Sequence, residues 1–146
     1  MDWPTVFKFA NLFAMLAWAV LIFGPRREAI YTILFDGVVG LFSLFYASLL
    51  VYLLFIAPST GGGGPDFTTI EGVRTAFAAD AGLTLGWVHY LAFDLFVGLW
   101  VARNADEISL SRFVQAPILL ATFIFGPFGL AIYLIVRRIH GSREAA

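Results

Sequence analysis

The chain has 146 residues, 60% of them hydrophobic and 13% charged, with a mean hydropathy of +0.87 and a formal net charge of −1. A soluble domain is about 45–50% apolar and about 25% charged, so this composition belongs to an integral membrane protein whose first partner is the lipid bilayer. The charge balance offers no basic field for nucleic acid, and the absence of cysteine excludes disulfides, thiolate catalysis and Cys-metal sites.

Crossing the hydrocarbon core takes about 20 apolar residues in a helix. Four such segments are predicted, making an all-α, polytopic bundle in one domain spanning 1–146. The first covers about 4–23 and stops at Gly24-Pro25-Arg26-Arg27, where proline cannot continue the helix and the arginines hold the interface. It opens on Met1-Asp2-Trp3 and outlasts a signal h-region, so it reads as a retained span. The second covers about 30–57 and ends before Pro58. A connector over 59–81 follows; its four consecutive glycines lack the Lys-Ser/Thr ending of a phosphate loop. Within it, Ile70, Val73 and Phe77 recur at helical spacing, so residues 68–79 form either a short amphipathic surface helix or a plain loop. The third span covers about 83–102 and the fourth about 113–136, ending at Arg137-Arg138.

Four spans put both termini on the side of the Gly-rich connector. Basic residues then divide almost evenly between the two sides, with a slight lean toward termini in the cytoplasm. Four short helices leave a thin interior, which a homo-oligomer would thicken.

The polar residues inside the spans carry the chemistry. Asp94 lies in the middle of the third, where a carboxyl costs roughly 3 kcal/mol or more on insertion scales and needs a partner or a water-filled cavity. His89 is about 140° around the helix from Asp94 and about 7.5 Å along it, so the two do not pair within the helix. Trp87 shares the Asp94 stripe, while Trp100 falls on the side of His89. Partners for Asp94 are therefore sought on other helices: Asn11, on a stripe with Phe7, Met15 and Trp18; Tyr46; and the mid-span break at Gly126-Pro127. Each residue also has a plainer reading. Asp94 serves as interhelical glue, His89 as an interfacial anchor, Asp36 as a helix-start residue, Trp87 and Trp100 as an aromatic belt, and Gly126-Pro127 as a structural kink. With His89 and His140 the only histidines, no haem or multi-His metal site is expected.

Asn11, Trp18 and Pro25, the run from Gly86 through Trp87, His89, Phe93 and Asp94 to Trp100, and Pro117 with Phe125-Gly126-Pro127-Phe128-Gly129-Leu130 resemble the abscisic-acid-deficient-four-like family. That is a small four-helix membrane family whose plant members are chloroplast neoxanthin synthases. Its N-terminus reads as a span rather than a transit peptide and looks more like that of a bacterial member, so a bacterial inner membrane is expected rather than a thylakoid one. The resemblance implies a bound carotenoid and isomerisation of an epoxide to an allene and a hydroxyl, without a redox cofactor. For that reaction, position and residue type suggest Asp94 as acid and His89 as base or as the group that stabilises the forming alkoxide, with Asn11, Trp18, Tyr46, Trp87, Phe93, Trp100 and Pro127 around the substrate. Two other functions fit the same features: a non-catalytic pigment-binding or assembly protein, and a small proton-coupled exporter. The exporter is disfavoured because its acid would sit on the first helix, where this chain has Asn11.

Overall fold

In the computed structural model, residues 1–56 and 66–144 are described; they form six helices and no strand. Helix α1 (Trp3–Phe23) starts with Pro4 in its first turn, where a missing N–H costs nothing, and is closed by Gly24, whose N–H reaches the Val20 carbonyl. Helix α2 (Glu28–Ile56) is continuous, with wider π-helical turns over Ile33–Val39 and Tyr52–Ile56. Helix α3 (Ile70–Ala76) is short and capped by Thr69, whose hydroxyl accepts from the Gly72 N–H at 3.1 Å. Helix α4 (Asp80–Glu107) is the central element; α5 (Arg112–Phe125) and α6 (Pro127–Glu144) complete the chain.

The helices α1, α2 and α4 are long and apolar enough to cross a membrane. Helices α1 and α4 run parallel, packed through small residues. Ala10, Ala14 and Ala17 are buried along α1, and the Trp18 ring fills the space that a side chain on Gly98 would need. Of the two readings of residues 68–79, a helix is present as α3 over Ile70–Ala76, with the adjoining Phe77 lying against Gly86. The Gly-rich run at 61–64 lies outside the described residues.

The expected fourth span, 113–136, is instead two helices folded back on one another. Helix α5 starts beside the end of α1, where Arg112 donates to the Ile22 and Gly24 carbonyls. It climbs past Trp18, which packs on Phe123, and ends at Gly126 beside Asp94, halfway along α4. Helix α6 then descends the same flank. Tyr133 donates to Asn104 at 2.7 Å, and His140 Nε2 lies 3.0 Å from the Ile108 carbonyl, at the end of α4. The reversal is local in origin. Gly126 has φ +51° and ψ −107°, a conformation L side chains avoid, and Pro127 begins α6 at a position where proline is preorganised. The hairpin arms touch backbone to backbone, since a Cβ on Gly129 would fall 2.2 Å from the Thr122 nitrogen.

Two further expectations change with it. The Trp3 end of α1 and the Glu144 end of α6 lie at opposite ends of the bundle, not on the same side. Asp36 is not a helix-start residue: it sits exposed within the first π-helical stretch of α2, well inside a helix that begins at Glu28. Helix α4 also outruns its predicted end at 102, because its charged last turns find partners. Arg103 pairs with Glu28, Asn104 donates to Glu107, and Asp106 joins a polar cluster.

Candidate functional site

Asp94 is over nine-tenths buried at the point where the hairpin turns. Its Oδ1 lies 2.8 Å from where a Cβ on Gly126 would be, so the carboxylate rests against the bare backbone of the turn. Gly126 is also the residue from which α6 departs: its carbonyl accepts from the Gly129 N–H at 3.1 Å. A helix N-terminus carries unpaired N–H groups and positive potential, a setting that favours an anion. Asp94 Oδ2 is nevertheless buried with no hydrogen-bond partner. Buried polar atoms are overwhelmingly paired in folded proteins, so this vacant acceptor is the most distinctive polar feature of the bundle.

A wall of aromatic rings leads from Asp94 toward the Trp3 end. Tyr90, one turn earlier on α4, interacts with the Asp94 carboxyl. Its ring stacks on Trp87 at 5.0 Å between centroids and 24° between planes. Trp87 in turn stacks on Phe7 of α1 at 5.6 Å and donates its indole N–H to Asn11 Oδ1 at 3.0 Å. Asn11 closes its own amide by donating to the Phe7 carbonyl at 2.8 Å, which fixes its orientation toward Trp87. The hairpin stops at Asp94, so this upper half of α4 is left without the covering helix that its lower half has. Phe7, Asn11, Trp87 and Tyr90 are only partly covered or exposed there.

Of the residues singled out from sequence, Asn11, Trp87, Asp94 and Pro127 are therefore brought into one region, with Asn11 serving Trp87 rather than Asp94. His89 is not among them. It lies exposed on another face of α4, stacked on Phe93 at 4.6 Å and against Tyr46 of α2 at 5.4 Å. That aromatic strip continues from Phe93 to Phe96 and on to Phe35. Tyr46 thus accompanies His89 and does not partner Asp94. Trp18 is core, 2% exposed between Gly98 and Phe123. Trp100 stands near the other end of α4, edge-on to Tyr133 of α6 at 5.7 Å. Sequence reasoning missed Tyr90, because it sought partners only across helices; the i, i+4 spacing of Tyr90 and Asp94 is the signal that identifies it.

A second polar group gathers where α1, α2, α4 and α5 meet. Tyr31 donates to Asp106 Oδ2 at 2.7 Å, and Gln115 donates to Asp106 Oδ1 and the Leu110 carbonyl, each at 2.8 Å. Arg26 donates to Tyr31 and Gln115 at 3.2 Å, with its Nε 3.8 Å from Asp106. This cluster ties α2, α4 and α5 to the segment that links α1 to α2, at the base of the hairpin. Among the described residues no group of three His, Cys, Asp or Glu side chains could hold a metal ion.

No curated protein and no solved structure matches the chain. The ABA DEFICIENT 4-like family model matches residues 5–133, which take in α1, α2, α4, the hairpin turn and Tyr133. The chain belongs to the ABA DEFICIENT 4-like family.

Proposed function

We propose that the protein is a membrane-embedded, carotenoid-binding isomerase that opens an epoxide to an allene. The single observation that carries this reading is the unpartnered, buried Oδ2 of Asp94 at the foot of the Phe7–Trp87–Tyr90 wall. A long apolar ligand lying along those rings would bring a polar end group to Asp94. The orphaned oxygen then gains the hydrogen bond it lacks, and the bilayer supplies the ligand from the uncovered flank of α4.

The reaction asks for two proton movements. A vinylic C–H next to the epoxide loses its proton, the adjacent C–O bond breaks as those electrons form the cumulated double bond, and the epoxide oxygen takes up a proton. Substrate and product are isomers, so no electrons are exchanged and no redox cofactor is consumed. Asp94, in its protonated form, gives its proton to the epoxide oxygen, and the carboxylate so formed takes the vinylic proton, which restores the acid; Tyr90, one turn away, orients the carboxyl for both transfers. Paired groups of this kind contribute about 10²–10⁴-fold to such steps. His89, on the other face, takes no part in this transfer; with Tyr46 and Phe93 it lines a separate aromatic strip. A bacterial inner membrane is the location that goes with this proposal.

The second reading, a non-catalytic pigment-binding protein, is favoured by that strip, which presents rings and no buried acid. One experiment separates the two. Purified protein is given an epoxy-carotenoid, and the pigment is recovered and examined for a product of unchanged mass bearing an allenic infrared band. Conversion by the wild type and its loss in Asp94→Asn, with pigment still bound, is the expected result. Full conversion by a folded Asp94→Asn protein sinks the isomerase role of Asp94. Bound but unaltered pigment in the wild type establishes the carrier instead.

A further inference from the structure

The hairpin decides where the basic residues end up. Arg26 and Arg27 follow α1, Arg103 lies in the last turns of α4, and Arg112 opens α5, all at one end of the bundle. Had 113–136 been one crossing, Arg137, Arg138 and Arg143 would lie at the opposite end and the two ends would be near parity. Because α6 turns back, with Tyr133 at Asn104 and His140 at Ile108, these three arginines join the other four. Of the nine Lys and Arg in the chain, only Lys8 and Arg74 belong to the Trp3 end. Short segments rich in Lys and Arg stay on the cytoplasmic side during insertion, where they are attracted to an anionic leaflet.

We infer that the arginine end faces the cytoplasm, seated on anionic headgroups, and that the Trp3 end and α3 face the opposite side. The aromatic wall above Asp94 then lies in the non-cytoplasmic half of the bilayer, and an apolar ligand reaches Asp94 from that leaflet. This orientation follows from the course of the chain and its charges and holds whether or not the protein is an isomerase.

The chain contains no cysteine, so a single introduced thiol reports its own side. Glu71→Cys and Ala78→Cys probe one end, and Ser111→Cys and Gly141→Cys the other. All four positions are exposed, and Gly141 has open space around its Cβ. In intact cells a membrane-impermeant maleimide is expected to label Glu71→Cys and Ala78→Cys. Ser111→Cys and Gly141→Cys are expected to react only after the membrane is opened. Labelling of Gly141→Cys together with Glu71→Cys, while Ser111→Cys stays protected, overturns the hairpin as the reason for the bias. Labelling of Ser111→Cys with Glu71→Cys protected overturns the orientation, and equal labelling of all four shows dual insertion and overturns it as well. Two positions at each end keep the result decisive if one variant fails to insert.

Discussion

Asp94 and Asp106 are carboxylates on the same helix, yet their surroundings are opposite. Asp106 receives hydrogen bonds from Tyr31 and Gln115 and lies beside Arg26, so both of its oxygens are engaged. Arg26 Nε lacks a hydrogen bond there but keeps its charge partner within 4 Å. Asp94 is the more deeply buried of the two and has an oxygen with no hydrogen bond at all. A satisfied network holds helices together; a vacant acceptor at comparable cost needs a ligand to complete it. Burial alone does not separate the two acids; burial without a hydrogen bond does, and that is what singles out Asp94 in the proposed function.

The strongest way to break this comparison exchanges each carboxylate for its amide. Asp94→Asn is expected to lower epoxide turnover by about 100-fold or more while leaving the thermal midpoint unchanged or raised, because an unpaired buried acid is removed. Asp106→Asn is expected to lose about 2 kcal/mol of stability and to keep its turnover per folded molecule. Thermal unfolding in detergent alongside turnover reads both, and the reverse assignment would refute the distinction.

Gly126→Ala tests whether the turn makes the Asp94 site. The new methyl would meet the carboxylate at a positive φ, with an expected cost of about 2–4 kcal/mol and loss of ligand binding. Trp87→Phe is milder. It keeps a ring for Phe7 and Tyr90 but removes the bond to Asn11, so about 1 kcal/mol is expected, together with weaker ligand binding. Indole fluorescence and ligand titration would show it.

The smallest effect lies outside the bundle. The Thr68 hydroxyl, with the Thr68 N–H and the Thr69 hydroxyl, holds the Asp66 carboxyl below its usual range. A depressed folded value means that this contribution is present at neutral pH and fades as the pH falls through the folded value. Amide exchange in α3 should therefore quicken only under acid conditions, and Asp66→Asn should remove that dependence.

Much of this was legible in the sequence. The three long helices followed from apolar length and the Pro25 stop, and the weight on Asp94 from the cost of a carboxyl in a span; the spacing of Ile70, Val73 and Phe77 left α3 open between a helix and a loop. The separation of His89 from Asp94 followed from helical geometry alone. The hairpin did not, because hydropathy sums apolar residues without regard to chain direction, and residues 113–136 look the same straight or folded. Gly126 and Pro127 marked the place, but a kink and a reversal share that signature; the close approach of Gly129 to Thr122 and the return of Tyr133 to Asn104 distinguish them.

The half-length hairpin also gives the molecule a taper. Near the arginine end, three long helices and both hairpin arms share the cross-section; near the Trp3 end the hairpin is gone. In a bilayer such a body displaces more lipid from one leaflet than from the other, so packing stress differs between them. Monolayer curvature, set by lipid shape rather than by any ligand, therefore acts unequally on the two ends of the bundle.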